Sequence, residues 1–177
     1  VTVPLESQYY TLIEVGGAYA HKFIPFMNFL EIPTLIVTDI DSINDGRKAC
    51  LVRDGKGYSN ATINFWFSDI LGKSGHTFQD IRELDNDKKT NGFIHIEYQI
   101  EENGLCGRSL EQALKNANRN LYKLSQSPTE EDLQYDPDVD GSKTDFAMKL
   151  VFENTNYNVP KYIENGLVWL NSQKMGR

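Results

Sequence analysis

An α/β domain with a mostly parallel sheet flanked by helices is what this sequence predicts, and three observations carry the prediction. Pro33-Thr34-Leu35-Ile36-Val37-Thr38 is an uninterrupted apolar run of strand length, the form a strand takes when a parallel sheet is covered on both faces. Before it, residues 9–15 read as a β-branched and aromatic strand and residues 18–30 as a helix, which gives the strand, helix, strand order of a right-handed crossover. After it, Ile94, Ile96, Tyr98 and Ile100 alternate with His95, Glu97 and Gln99, the period of a strand with one face in the core and one in solvent.

Taken in order, Tyr9-Tyr10-Thr11-Leu12-Ile13-Glu14-Val15 ends at Gly16-Gly17, a strand-to-helix turn. Phe23, Phe26, Met27 and Leu30 have the spacing of one helix face, with Pro25 starting that helix late or kinking it. Residues 48–53 can form a short strand, residues 54–57 a turn, and residues 64–71 a short aromatic-rich helix or strand. The sequon Asn60-Ala61-Thr62 carries no meaning in a cytoplasmic protein. Residues 72–92 are polar and charge-rich and are expected to be a mobile loop. In residues 106–123, Leu110, Leu114, Ala117 and Leu121 make an apolar stripe, while Arg108, Glu111, Lys115 and Arg119 line another face. Residues 125–141 have the composition of a linker. Its Asp136-Pro137-Asp138-Val139-Asp140-Gly141 imitates half an EF-hand loop but offers Ala147 where a glutamate is required. Ser142-Lys143-Thr144-Asp145 is a helix start with a capping acid, continuing through Phe146, Leu150 and Val151, and residues 160–170 read as a last helix whose Trp169 and Leu170 pack on the core.

Composition limits the function classes. At 177 residues, 40% hydrophobic and 24% charged, the chain suits one domain with a substantial core, and no apolar run approaches a membrane span. No secretory leader is evident, and Cys50 and Cys106 stand apart, so a cytoplasmic location with reduced thiols is expected. A net charge of -7 argues against broad nucleic-acid binding surfaces, although a nuclease escapes that objection when its acids cluster at a metal.

Chemistry is expected where the apolar strand ends, because carboxyl ends of parallel strands are where loops splay apart and ligands bind. Asp39 and Asp41 stand there one residue apart, close enough to serve a hard cation and to repel without one. A solvated loop with an aspartate capping the next helix is the alternative. Glu111 is either a further ligand with cations nearby for phosphate or half of a surface pair with Lys115. Lys143 stands at a first helical position, where the helix dipole disfavours a cation; such local conflicts concentrate at functional sites. His21, without a partner one turn on, reads as a packing residue.

Several blocks, in order along most of the chain, resemble the Toprim nuclease region of the OLD (overcoming lysogenization defect) family of ATP-dependent endonucleases. They are Ile13-Glu14-Val15-Gly16-Gly17-Ala18-Tyr19-Ala20-His21-Lys22-Phe23, residues 35–42, Cys106-Gly107-Arg108-Ser109-Leu110-Glu111, Ser142-Lys143-Thr144-Asp145-Phe146-Ala147 and residues 159–170. The resemblance implies a single Toprim-like domain with family insertions: a core at about 9–123, a linker at about 125–141 and a helical part at 142–172. It also implies DNA cleavage assisted by magnesium or manganese, two ions in all, a homo-oligomer, and a role in phage defence. Carried over, Asp39, Asp41 and Glu111 hold metal, Asp39, Asp41 and Lys143 are catalytic, and Arg108, Lys115 and Arg119 are candidate DNA contacts. Ser42 and Gly17 abut the site. The family's first-strand glutamate is expected upstream of Ile13, with Glu14 as a possible substitute. No Gly-rich phosphate loop occurs, so any use of ATP falls to an ATPase region outside this sequence, which reads as a fragment that is weak or inactive alone. The competing class is a non-catalytic metal-binding regulatory or interaction module.

Overall fold

The computed structural model describes residues 4–16, 19–153 and 156–173. Strand β1 (Thr34–Val37) forms within the apolar run and pairs in parallel with β5 (Ile94–Glu97), Thr34 opposite Ile94 and Val37 opposite Glu97. Strand β4 (Thr90–Asn91) folds back on β5 through an Asn91-Gly92 turn with Gly92 at φ 59°, so the sheet is mixed, in the order β1-β5-β4. The expected α/β class holds, but the sheet is not mostly parallel: among the described residues this sheet has one parallel and one antiparallel pair.

The alternation in β5 sorts its side chains between two packed layers. Ile94, Ile96 and Tyr98 enter the main core with Ile24 of α1 (Ile24–Phe29), Ile63 of α2 (Ala61–Phe65), Trp66, Phe67 and Ile81 of α3 (Phe78–Arg82). His95, Glu97 and Gln99, expected in solvent, are buried under the last helix, α7 (Lys161–Ser172). That helix sits close because Gly166 carries no Cβ: one placed there would meet Leu35 Cδ1 at 2.7 Å and Glu97 Cγ at 3.2 Å. Trp169 stacks on His95 at 4.7 Å between ring centroids. Beneath it, His95 contacts Thr90 and Glu97, and Glu97 pairs with buried Lys89 at 2.7 Å. Polar side chains can face this layer because each finds a partner within it.

Other expectations are corrected. Residues 9–15 form no strand; Tyr9 is 86% and Leu12 91% exposed, and no described strand lies beside them to complete a ladder. The connection into β5 therefore runs through residues 38–93, by way of a small antiparallel pair, β2 (Ser42–Ile43) with β3 (Gly57–Tyr58), and α2 and α3. In α1 the buried residue is Ile24, while Phe23, Phe26 and Leu30 are exposed. Residues 72–92 are no open loop: a Thr77–Asp80 capping box starts α3, and Phe78 and Ile81 fill the core. The linker composition at 125–141 hides Leu133, fully buried, and a short helix α5 (Pro137–Asp140).

Helix α4 spans Leu110–Ala117 and buries Gln112, Ala113, Leu114, Lys115 and Asn116 while leaving Leu110 exposed, so its inner face is turned from the expected stripe. The capping box of Ser142 and Asp145 starts α6 (Lys143–Met148) as expected, and Phe146 and Leu150 join Leu114 in a second small cluster; Val151 is exposed.

Candidate metal centre at the end of the first strand

Past Val37 the chain leaves the sheet, buries Ile40 completely, and turns at Asp41, whose φ of 49° is a left-handed geometry that aspartate tolerates better than most residues. Two amide side chains from other elements fix this turn. Gln99, just beyond β5, donates from Nε2 to Asp39 Oδ1 at 2.5 Å and accepts the Ile40 N–H on Oε1 at 2.7 Å. Asn60, at the N-cap of α2, donates from Nδ2 to the Asp39 carbonyl at 2.7 Å and Thr38 Oγ1 at 2.8 Å, while its Oδ1 accepts the N–H groups of Thr62 and Ile63. Sequence reasoning missed both. The signal for Asn60 was an N-cap residue before an apolar run; Gln99 had none, since it stood on the strand face expected in solvent.

Glu111 arrives from the first turn of α4. Gly107 lets that turn pack tightly, since a Cβ there would come within 2.8 Å of the Ala113 nitrogen. Glu111 Oε2 accepts from Ser109 Oγ at 2.7 Å and Oε1 pairs with Lys143 Nζ at 2.7 Å. The lysine that broke the dipole rule at the start of α6 is thus offset by Glu111 and by Asp145 in its own turn. Arg108 closes the other side: Nη2 lies 3.4 Å from Asp41 Oδ1, and its carbonyl accepts the Asp41 N–H at 3.3 Å.

Electrostatics bind these residues into one site. Burial pushes the Asp39 carboxyl above its usual range; the bond from Gln99 opposes this, and the nearby charges of Asp41 and Glu111 add to it. Burial also opposes ionisation of Glu111, but the bonds from Lys143 and Ser109 outweigh it and hold that carboxyl below its usual range. The bond to Glu111 raises Lys143 above an ordinary lysine, with a further contribution from the charge of Asp39. Arg108 with Asp41 and Lys143 with Glu111 are direct pairs, and Asp39 lies near enough to Asp41, Glu111 and Lys143 for their charges to act on one another.

Of the remaining candidates, the described ones do not join them. Ser42 is buried and donates to the Cys50 carbonyl at 2.6 Å. Glu14 is exposed in the irregular N-terminal segment, and Gly17 lies outside the described residues. Lys115, expected on a solvent face, is 6% exposed and held by Asp140 at 2.6 Å and the Gln134 carbonyl at 2.9 Å, so it pairs with neither Glu111 nor a phosphate in this arrangement. Arg119 is tied to the Asn103 carbonyl and Asn116 Oδ1.

The donors at the site are carboxylate oxygens, hard ligands that suit magnesium or manganese. Arg108 Nε is buried without a hydrogen-bond partner, an orphaned polar atom beside Asp41. Among the described residues no three His, Cys, Asp or Glu side chains are grouped closely enough to hold a metal ion as they stand; Arg108 pairs with Asp41 and Lys143 with Glu111.

Comparison with known proteins agrees with the resemblance. Residues 1–41 match the family model described as overcoming lysogenization defect protein-like, TOPRIM domain. The chain is 23% identical over 192 residues to Endonuclease GajA of Bacillus cereus (strain HuB5-5), an alignment covering 94% of this chain. The chain spans 28% of that relative's length. No solved structure matches it significantly.

Proposed function

We propose that this chain, an OLD-family Toprim domain, supplies the metal-dependent centre of a nuclease that hydrolyses phosphodiester bonds in DNA. The observation that supports the reading is the pairing of Lys143 with Glu111 at 2.7 Å near the point where the chain leaves a parallel strand pair through Asp39 and Asp41. Asp39, Asp41 and Glu111 would hold magnesium or manganese, which when bound supplies a hydroxide from water and stabilises the leaving oxygen.

The chain's own groups do the positioning. Gln99 and Asn60 hold the Asp39 turn through its carboxylate and its main-chain carbonyl, and Arg108 lies 3.4 Å from Asp41 Oδ1. Lys143 is mostly exposed, so its ammonium can leave Glu111 for a phosphate oxygen and offset the charge that builds there in the transition state. Coupling to an ATPase region elsewhere in the complete protein, assembly as a homo-oligomer and a cytoplasmic location belong to the same proposal and rest on the family resemblance. No helix of the described residues is long and apolar enough to cross a membrane.

Plasmid cleavage by the complete protein tests it. Asp39→Ala or Asp41→Ala is expected to abolish magnesium- or manganese-dependent nicking with an unchanged circular dichroism spectrum. Wild-type cleavage by either variant would falsify the assignment.

A further inference from the structure

Beside the acid loop lies an open cleft of about 570 Å³, bounded by the turn before β3 on one side and by α2 and the segment entering α3 on the other. Its lining includes Arg47, Tyr58, Ser59, Asn60, Asn64 and His76, and no acidic residue, although the chain carries 25 acids against 18 lysines and arginines. Arg47 sits in the turn closed by the bond from its N–H to the Asn44 carbonyl, at φ 58°, and among the described residues it has no ion-pair partner. Facing it, the hydroxyl of Tyr58 is shared between His76 Nε2 and Asn64 Oδ1. His76 is fixed by a contact of Nδ1 with the Lys73 carbonyl and by stacking on Phe67 at 4.7 Å.

The cleft and the acid loop share backbone. The Ser59 N–H donates to the Asp41 carbonyl at 3.1 Å, and Asn60, in the cleft wall, donates to the Asp39 carbonyl. The cleft wall is therefore tied to the backbone of the turn that carries Asp39 and Asp41.

We propose that this cleft is a DNA subsite: Arg47 pairs with a backbone phosphate flanking the scissile one, and the Tyr58–His76 pair packs against the adjoining deoxyribose. An unpaired guanidinium in an acid-free wall suits a phosphodiester, and planar rings with hydroxyl and amide groups suit a sugar face. The inference rests on the nuclease reading and extends it to the path of the strand.

Binding without cleavage tests it. Fluorescence anisotropy of the complete protein with labelled single- and double-stranded oligonucleotides, in EDTA and over a range of salt, reads affinity and salt slope. Arg47→Asn removes the charge while keeping a residue that accepts a left-handed turn. It is expected to weaken binding on the order of tenfold and to reduce the salt slope by about one. Arg47→Lys should recover the slope, and His76→Gln should weaken binding with the slope unchanged. Wild-type affinity and slope in both Arg47→Asn and His76→Gln overturn the cleft. If that happens while Asp41→Ala still abolishes cleavage, the nuclease reading stands alone; if Arg47→Asn weakens binding but Asp41→Ala cleaves normally, the assignment of Asp41 falls and with it the placement of the cleft beside the scissile phosphate, leaving only a DNA-binding cleft.

Discussion

Gln99 holds Asp39 from both ends of its amide: Nε2 donates to the carboxylate at 2.5 Å while Oε1 takes the next residue's N–H at 2.7 Å. This links the two parallel strands just where they stop hydrogen-bonding to each other. A buried amide with both ends used fixes the loop, and losing it strands the Ile40 N–H in a fully buried position.

Gln99→Ala is therefore expected to lower cleavage about 10- to 100-fold, the range typical when a group supporting a metal ligand is lost. Metal affinity should fall with it, measured by manganese titration calorimetry, while far-UV circular dichroism stays unchanged. Full activity in Gln99→Ala would show that the loop needs no such brace.

Asp39→Asn separates stability from chemistry. Because burial and two neighbouring carboxylates raise the Asp39 pKa, its contribution to stability is full below the unfolded value of 3.8 and is lost as pH rises through the folded value. At neutral pH without metal, ionised Asp39 thus costs stability. Asparagine keeps the acceptor for Gln99 and removes the charge, so Tm should rise by a few degrees, about 2–4 °C per kcal/mol for a chain of this size. Magnesium should raise the wild-type Tm and leave that of Asp39→Asn unchanged. A lower Tm for Asp39→Asn in EDTA would contradict this account.

What the sequence disclosed of this site follows from where the information lay. Asp39, Asp41 and the capping box ahead of Lys143 are local patterns, readable from spacing alone. Gln99 and Asn60 act across separations of 60 and 21 residues, so only tertiary structure reveals them. The same limit misplaced Lys115 and the polar face of β5. Helix periodicity reports which residues share a face, but Asp140 and Gln134 had to fold back onto α4, and α7 onto the sheet, before a polar face became an interior one. Residues 9–15 failed for the converse reason: β propensity describes a side chain's fit to a sheet and forms no strand without a neighbour.

Lys143→Ala should show what the Lys143–Glu111 pair does. The depressed pKa of Glu111 contributes stability above the unfolded value of 4.5, lost as pH falls through the folded value. The raised pKa of Lys143 contributes below 10.5, lost as pH rises through its folded value. Removing the lysine should flatten both limbs of the Tm profile and free Glu111 for metal, so manganese affinity should hold or tighten while turnover falls at least tenfold. A parallel loss of affinity and turnover would mean that Lys143 positions the ligands and does no more. Turnover within about twofold of wild type, well under 1 kcal/mol, would leave it a surface ion pair.

The last expectation concerns the side of the sheet away from β4. Among the described residues β1 pairs with β5 alone, so no strand lies along its other edge. Beside that strand in sequence, Phe26, Phe29 and Leu30 of the α1 region and Val37 at the strand's end are exposed, Phe29 at 80%. Open edges pair with other chains, and exposed apolar groups near one add a driving force of about 25 cal/mol per Å² buried. This 177-residue chain is therefore expected to self-associate as its concentration rises, with an apparent mass by light scattering that climbs at high salt, where screening of its net charge of -7 lets copies approach. Phe29→Glu, which puts a charge on that exposed face without touching the core, should shift the distribution toward monomer and leave Tm within about one degree. A chain that stays monomeric at every concentration and salt would show that the edge is protected, and would remove this face as the seat of association.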